Sequence, residues 1–160
     1  MVTNRKVPEV EKAWRQTARL KLKFELAGLS FALSHGFSVR DYARHLWSTG
    51  AKGWLGKADP SPEEYLVKEA EACRKLLPEV RCDVFVVGSG EARLLFLEGC
   101  PGGWGRDRWG QARKLGLEPA DVCAYCNEAF ATWAEEVKLQ AVTSPQRDGT
   151  CDLTVRNPHL

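Results

Sequence analysis

Histidine is nearly missing from this chain: there are three in 160 residues. His35 falls in a turn and His159 in the tail, so only His45 is expected on a helix. No apolar run is long enough to cross a bilayer. The opening stretch, Met1-Val-Thr-Asn-Arg-Lys6, has none of the hydrophobic core of a secretion signal. These absences exclude a membrane partner and point to the cytoplasm, where thiols stay reduced and disulfides are the less favoured reading. There is no internal repeat and no low-complexity segment. No helix-turn-helix or RNA-binding signature is present either, so nucleic acid is not an expected partner.

What is present fits one globular domain. Hydrophobic residues make up 44% and charged residues 28%, ordinary proportions for a folded chain of this length. The net charge of +2 hides an asymmetry: residues 1–60 carry 11 Lys and Arg against 5 Asp and Glu, and residues 61–160 carry 12 against 16. The expected organisation is a basic N-terminal helical part, residues 1–60, packed on an α+β domain formed by residues 61–160. The basic excess reads first as the solvated face of helices, and second as a surface for an anionic partner.

Residues 8–33 read as one long helix, since Leu22, Leu26, Leu29 and Leu33 follow helical spacing, although residues 20–26 also alternate as a strand would. Ser38, with Asp41 three residues on, starts a helix to about residue 48. Ser61-Pro62-Glu63-Glu64 starts another, ended by Pro78. Val80, Cys82, Val84 and Val86 alternate with Arg81 and Asp83 and predict an inward-facing strand, returning after Gly88-Ser-Gly90 as residues 94–97. A short helix over 106–115, a helix from Pro119 to about residue 136 and a last hairpin complete the chain. The fold class is therefore α+β: N-terminal helices on an antiparallel sheet made from two hairpins, residues 80–98 and 138–156, with helices between them.

The cysteines are the most concentrated chemical feature. Cys123-Ala-Tyr-Cys126 is a C-x-x-C, with 22 residues between it and Cys100 and 24 between it and Cys151. Cys123 and Cys126 share a face near a helix N-terminus, where free N–H groups and the helix dipole favour thiolate. If the two hairpins lie side by side, Cys100, Cys123, Cys126 and Cys151 converge under that helix and can hold zinc; an iron–sulfur cluster is the second choice. Cys73 and Cys82 read as small packed hydrophobes, and Cys151, on an apolar strand face, is open to either reading. A thioredoxin-like pair requires a strand before the helix, and here the C-x-x-C follows a helix and a Gly-Leu-Glu-Pro link.

Trp104, Arg106, Arg108 and Trp109 lie between Cys100 and Cys123. Arginines that grip an anion and tryptophans that form flat walls make these candidate ligand-binding residues; solvated arginines around a core tryptophan are the plainer alternative. For a metal-free cysteine hydrolase, Cys100 or Cys123 is the candidate nucleophile. His45 or Asp121 would then move the proton, with Asp41 orienting His45. Exposed tryptophans also suit a subunit interface, so a homodimer is a further expectation.

The C-terminal half carries a pattern of Cys100-Pro101, Leu115-Gly116-Leu117, Cys123 at a helix start, the aromatic pair Phe130 and Trp133, and Asp148-Gly149-Thr150-Cys151-Asp152-Leu153. Over roughly residues 80–156 it resembles the L-2-amino-thiazoline-4-carboxylate hydrolase-like family, related in outline to the small-molecule-binding domains named after 4-vinyl reductase. That resemblance implies a ligand pocket between sheet and helices. It also implies hydrolysis of a small cyclic amidine- or amide-like substrate at a non-peptide C–N bond, with Cys100, Cys123 and Cys151 as site positions. Cys126 departs from the pattern, and a fourth thiol favours a metal over a lone nucleophile. The expectation is thus a cytoplasmic zinc-binding protein with a pocket for a small anionic or heterocyclic molecule. A catalytic ion keeps an open position that lowers the pKa of bound water toward about 7, whereas four thiolates close it. A non-catalytic sensor module and a metal-free cysteine hydrolase are the alternatives.

Overall fold

The computed structural model describes residues 9–49, 59–77, 80–97, 108–146 and 150–160, with residues 108 and 109 described by their backbone alone. Helix α1 spans Glu9–Ser34 and buries Ala18, Leu22, Leu26, Leu29 and Ala32 along one face. The local alternation at residues 20–26 yields to this longer helical pattern. Gly36, at φ 81°, ends the helix, and Phe37 N–H returns to Ala32 O at 3.0 Å.

Helix α2, Val39–Thr49, begins at a reciprocal cap: Asp41 N–H donates to Ser38 Oγ and Ser38 N–H to Asp41 Oδ2, each at 3.1 Å. Helix α3, Pro62–Leu76, repeats the device with Ser61 and Glu64, at 3.2 Å and 2.8 Å. Strands β1, Cys82–Gly88, and β2, Glu91–Phe96, form the first hairpin. Helices α4, Arg108–Lys114, and α5, Pro119–Glu135, precede the second hairpin, made by β3, Gln140–Pro145, and β4, Cys151–Arg156.

The two hairpins do lie side by side, giving an antiparallel sheet in the order β1-β2-β4-β3. Leu94 stands opposite Leu153, and Phe96 opposite Cys151. Period-two alternation buries Ala92, Leu94 and Phe96 of β2 and Cys151, Leu153 and Val155 of β4 on one face, under the helices. The mixed architecture is the expected one.

Strand β1 departs from its alternation. Cys82 is buried, but Val86 is 55% exposed. As an edge strand, β1 packs on the core only at its start, and its register slips between Val86 and Gly88.

The core has two parts. One joins α3, the sheet and the end of α5, with Trp47 of α2 among its members. The other gathers Leu26, Leu29, Ala43, Leu117, Val122, Tyr125 and Ala129 from α1, α2 and the α4–α5 region. Trp133 packs against both. None of the described helices is long and apolar enough to cross a membrane.

Candidate functional site

The thiols are distributed by the same rules that build the fold. Cys123 and Cys126 lie on α5, both half-buried. Cys151 opens β4 and points with Leu153 and Val155 into the sheet-side core, which also contains Cys73 and Cys82. Burial pushes the Cys73 thiol well up, with the Glu69 charge acting in the same direction. Burial also raises Cys82, so both stay protonated at neutral pH and are poor nucleophiles. They are the packed hydrophobes the sequence predicts.

Cys100, Trp104 and Arg106 lie outside the described residues, and Arg108 and Trp109 are placed only as the first residues of α4. Among the described residues, no three His, Cys, Asp or Glu side chains come together in a group that could hold a metal ion. A metal site at Cys123 and Cys126 would therefore need a ligand from outside the described residues.

His45 is exposed on α2, and the partner expected to orient it is engaged elsewhere. Asp41 accepts from the Ser38 hydroxyl at 2.6 Å as part of the helix cap, and these bonds hold its carboxyl below the usual range. Asp121 is occupied in the same way at the start of α5, where Glu118 N–H donates to its Oδ2 at 2.8 Å. Both acids are held at helix starts by the chemistry that begins a helix.

The most unusual feature lies on α3. Its inner face, packed on β1 and β2, presents Tyr65, Leu66, Glu69, Ala70 and Cys73, all buried. A glutamate on such a face is rare unless paired. Glu69 is 2% exposed, and its Oε1 has no hydrogen-bond partner among the described residues. Removal from water drives its pKa up to about 8; the Tyr65 hydroxyl beside it opposes the rise. Near neutral pH most of the Glu69 carboxyl is therefore protonated.

Four more buried polar atoms share this condition: Tyr65 Oη, Trp47 Nε1, Thr132 Oγ1 and Trp133 Nε1. They come from α2, α3 and α5. Trp47 and Tyr65 belong to one core cluster, Trp133 packs against it, and Thr132 is its neighbour on α5. The two indoles face each other with ring centroids 5.8 Å apart, and Phe130 meets Trp133 edge-on at 6.2 Å. An unpaired buried polar group costs about 1–3 kcal/mol. Five within one core amount to a concentrated unmet demand for hydrogen bonds.

The chemistry of this set is that of a donor-rich aromatic site. Two indole N–H groups only donate, while two hydroxyls and a protonated carboxyl can donate and accept. Side chains of these kinds complement a flat molecule carrying carbonyl or ring-nitrogen acceptors. The sequence carries one signal for this set: Glu69 falls on the apolar stripe between Leu66 and Cys73, where a charged residue breaks the pattern.

A second polar cluster contrasts with it. The Tyr125 hydroxyl donates to Glu25 Oε1, and Lys21 pairs with Glu25 Oε2. The Tyr42 hydroxyl donates to Glu25 O at 2.7 Å. Burial pushes Tyr42 up to about 12 and holds Tyr125 well above the usual phenol value, so both phenols remain donors. This clasp ties α1 to α2 and α5. No family model, curated protein or solved structure matches the chain.

Proposed function

We propose that this chain is a small-molecule-binding domain whose ligand is a flat, uncharged heterocycle with carbonyl or ring-nitrogen acceptors. It is held in the interior between α3, α5 and Trp47 of α2. The observation that carries this reading is the set of five buried side-chain polar atoms without partners on α2, α3 and α5, Glu69 Oε1 among them. A bound acceptor-bearing molecule satisfies them, and the neighbouring Trp47, Phe130 and Trp133 rings supply flat walls. With its pKa at about 8, Glu69 serves near neutral pH as a neutral donor to an acceptor of the ligand. The reading accords with the resemblance of residues 80–156 to small-molecule-binding domains, and favours the binding role over hydrolysis. The reduced thiols Cys73 and Cys82 suit a cytoplasmic setting.

Native mass spectrometry of the freshly purified chain tests the proposal. The expected result is a stoichiometric adduct that disappears on denaturation and is lost in Glu69→Leu and Trp47→Phe while both variants stay folded. A bare mass, with no change in melting temperature across a panel of purines, pterins and flavins, would refute it.

The half-buried Cys123 and Cys126, three residues apart on α5, support a second reading in which they hold zinc together with Cys100. Metal analysis of protein purified without added metal decides it. About one zinc per chain, lost in Cys126→Ser, is the supporting result. Iron with visible absorbance would move the assignment to a cluster.

A further inference from the structure

Helix α1 has two apolar faces, and only one is buried among the described residues. The inner face buries Ala18, Leu22, Leu26 and Leu29. On the outer side, Val10, Ala13, Thr17, Leu20, Phe24, Ala27 and Phe31 follow one another at steps of 3, 4, 3, 4, 3 and 4 residues, none of them buried. Val10 is 81% exposed, Leu20 50%, Phe24 69% and Phe31 62%. Alternating steps of three and four are the seam spacing of a two-stranded coiled coil.

We propose that this seam pairs two copies of the chain as an antiparallel coiled coil through α1. Side-chain size selects both the occupant and the direction. With the two helices antiparallel about a twofold axis between Thr17 and Leu20, Phe24 meets Ala13 of the second copy, Leu20 meets Thr17, and Val10 meets Ala27. Each of these three kinds of layer sets a larger side chain against a smaller one, and Phe31 lies beyond the paired layers. A parallel pair would instead set Phe24 on Phe24 and Ala13 on Ala13, crowding some layers and leaving gaps in others. The seam's borders do not oppose the antiparallel pairing: Gln16 faces Lys23, and Trp14, whose indole N–H donates to Lys75 O at 2.7 Å, lies beside Lys21.

The area is sufficient. With an aromatic side chain offering roughly 200 Å², the paired positions from Val10 to Ala27 leave on the order of 400 Å² of apolar surface per chain. Two seams together reach about 800 Å², the size of a weak, reversible interface, which is why association is sought at high concentration. The apolar stripe is also narrow. Lys12, Arg19 and Lys23 border one side and Trp14 and Lys21 the other, which suits a helix seam better than the broad apolar face of a membrane-surface helix.

Sedimentation velocity on the full chain tests the proposal, with a concentration series up to about 100 μM. The expected result is a reversible shift from monomer to twice the monomer mass. Phe24→Lys, on an exposed position, should weaken association at least about tenfold with an unchanged circular dichroism spectrum. Ala13→Phe should weaken it as well, and the double variant Ala13→Phe with Phe24→Ala should restore it to within about threefold, because the large and small partners are exchanged. A monomer at every concentration overturns the proposal, as does a dimer indifferent to Phe24→Lys. Binding to phosphatidylserine vesicles that Phe24→Lys abolishes, with the chain monomeric in solution, also overturns it and assigns the face to a membrane surface.

Discussion

Two glutamates enter the interior of this protein and meet opposite surroundings. On α1, Glu25 is bracketed: the Tyr125 hydroxyl and the Lys21 ammonium reach its two carboxyl oxygens, and Tyr42 reaches its backbone carbonyl. On α3, Glu69 is more deeply buried, yet its Oε1 finds no partner among the described residues. Both are helical, and each has a tyrosine beside it. The difference is geometric. Tyr125 reaches Glu25 in hydrogen-bond geometry, whereas Tyr65 lies close enough to influence Glu69 without its hydroxyl completing a bond. A partnered buried acid fastens elements together. An unpartnered one is a cost that stability alone does not explain, and this is why the ligand site is placed at Glu69.

The sharpest way to break this contrast is to change pH. Glu69 titrates at 4.5 in the unfolded chain and at about 8 in the fold. Between those values the folded chain keeps a proton that the unfolded chain gives up, so the group lowers stability steadily as pH rises from about 4.5 to about 8. Below the lower value the penalty is absent; above the upper one it is complete, on the order of 5 kcal/mol. Glu69→Gln has no proton to lose. Its denaturation midpoint should be flat across this range where the parent's falls, and at pH 9 the variant should be the more stable by about 3–4 kcal/mol. Equal slopes for the two chains would show that Glu69 is partnered after all, and the contrast would collapse.

The next largest effect belongs to the clasp. Tyr125→Phe removes a donor to a carboxylate and leaves Glu25 Oε1 facing the core, which should cost about 1.5–3 kcal/mol in urea denaturation at pH 7. Tyr42→Phe removes a neutral bond at a half-buried site and should cost about 1 kcal/mol. Losses well below these would mean that Glu25 draws equivalent bonds from water, and that the clasp does little to hold α1.

Much of this was legible in the chain, for reasons that differ by residue. Leu22, Leu26 and Leu29 mark the inner face of α1 because helical periodicity is local, and Ser61 with Glu64 marks the start of α3 because capping spans only three residues. The side-by-side hairpins follow from alternation that gives β2 and β4 one buried face each. Val86 was misplaced because alternation says which way a side chain points, not whether a helix lies above it. The site is harder to read. Glu69 stands out on its stripe once helical spacing is drawn, but the meeting of Trp47 with Trp133 joins positions 86 residues apart in the chain and leaves no mark in either neighbourhood. The cysteines stood out by spacing, which is blind to depth: Cys151 is drawn into the sheet-side core by the same alternation that buries Leu153.

The smallest expected effect is also the most direct comparison, because it makes the Tyr125 substitution at the other glutamate. The Tyr65 hydroxyl is buried and unpartnered, so Tyr65→Phe removes a group that is already paying a desolvation cost. Stability at pH 5 should change by less than about 0.5 kcal/mol, or rise. The substitution also removes the one influence that holds Glu69 down, so the pH at which the parent's stability levels off should move upward from about 8. The adduct in native mass spectrometry should weaken in parallel, since the ligand loses a hydroxyl contact. A loss as large as that of Tyr125→Phe would mean that Tyr65 and Glu69 already form a complete pair, and the two glutamates would no longer differ in kind.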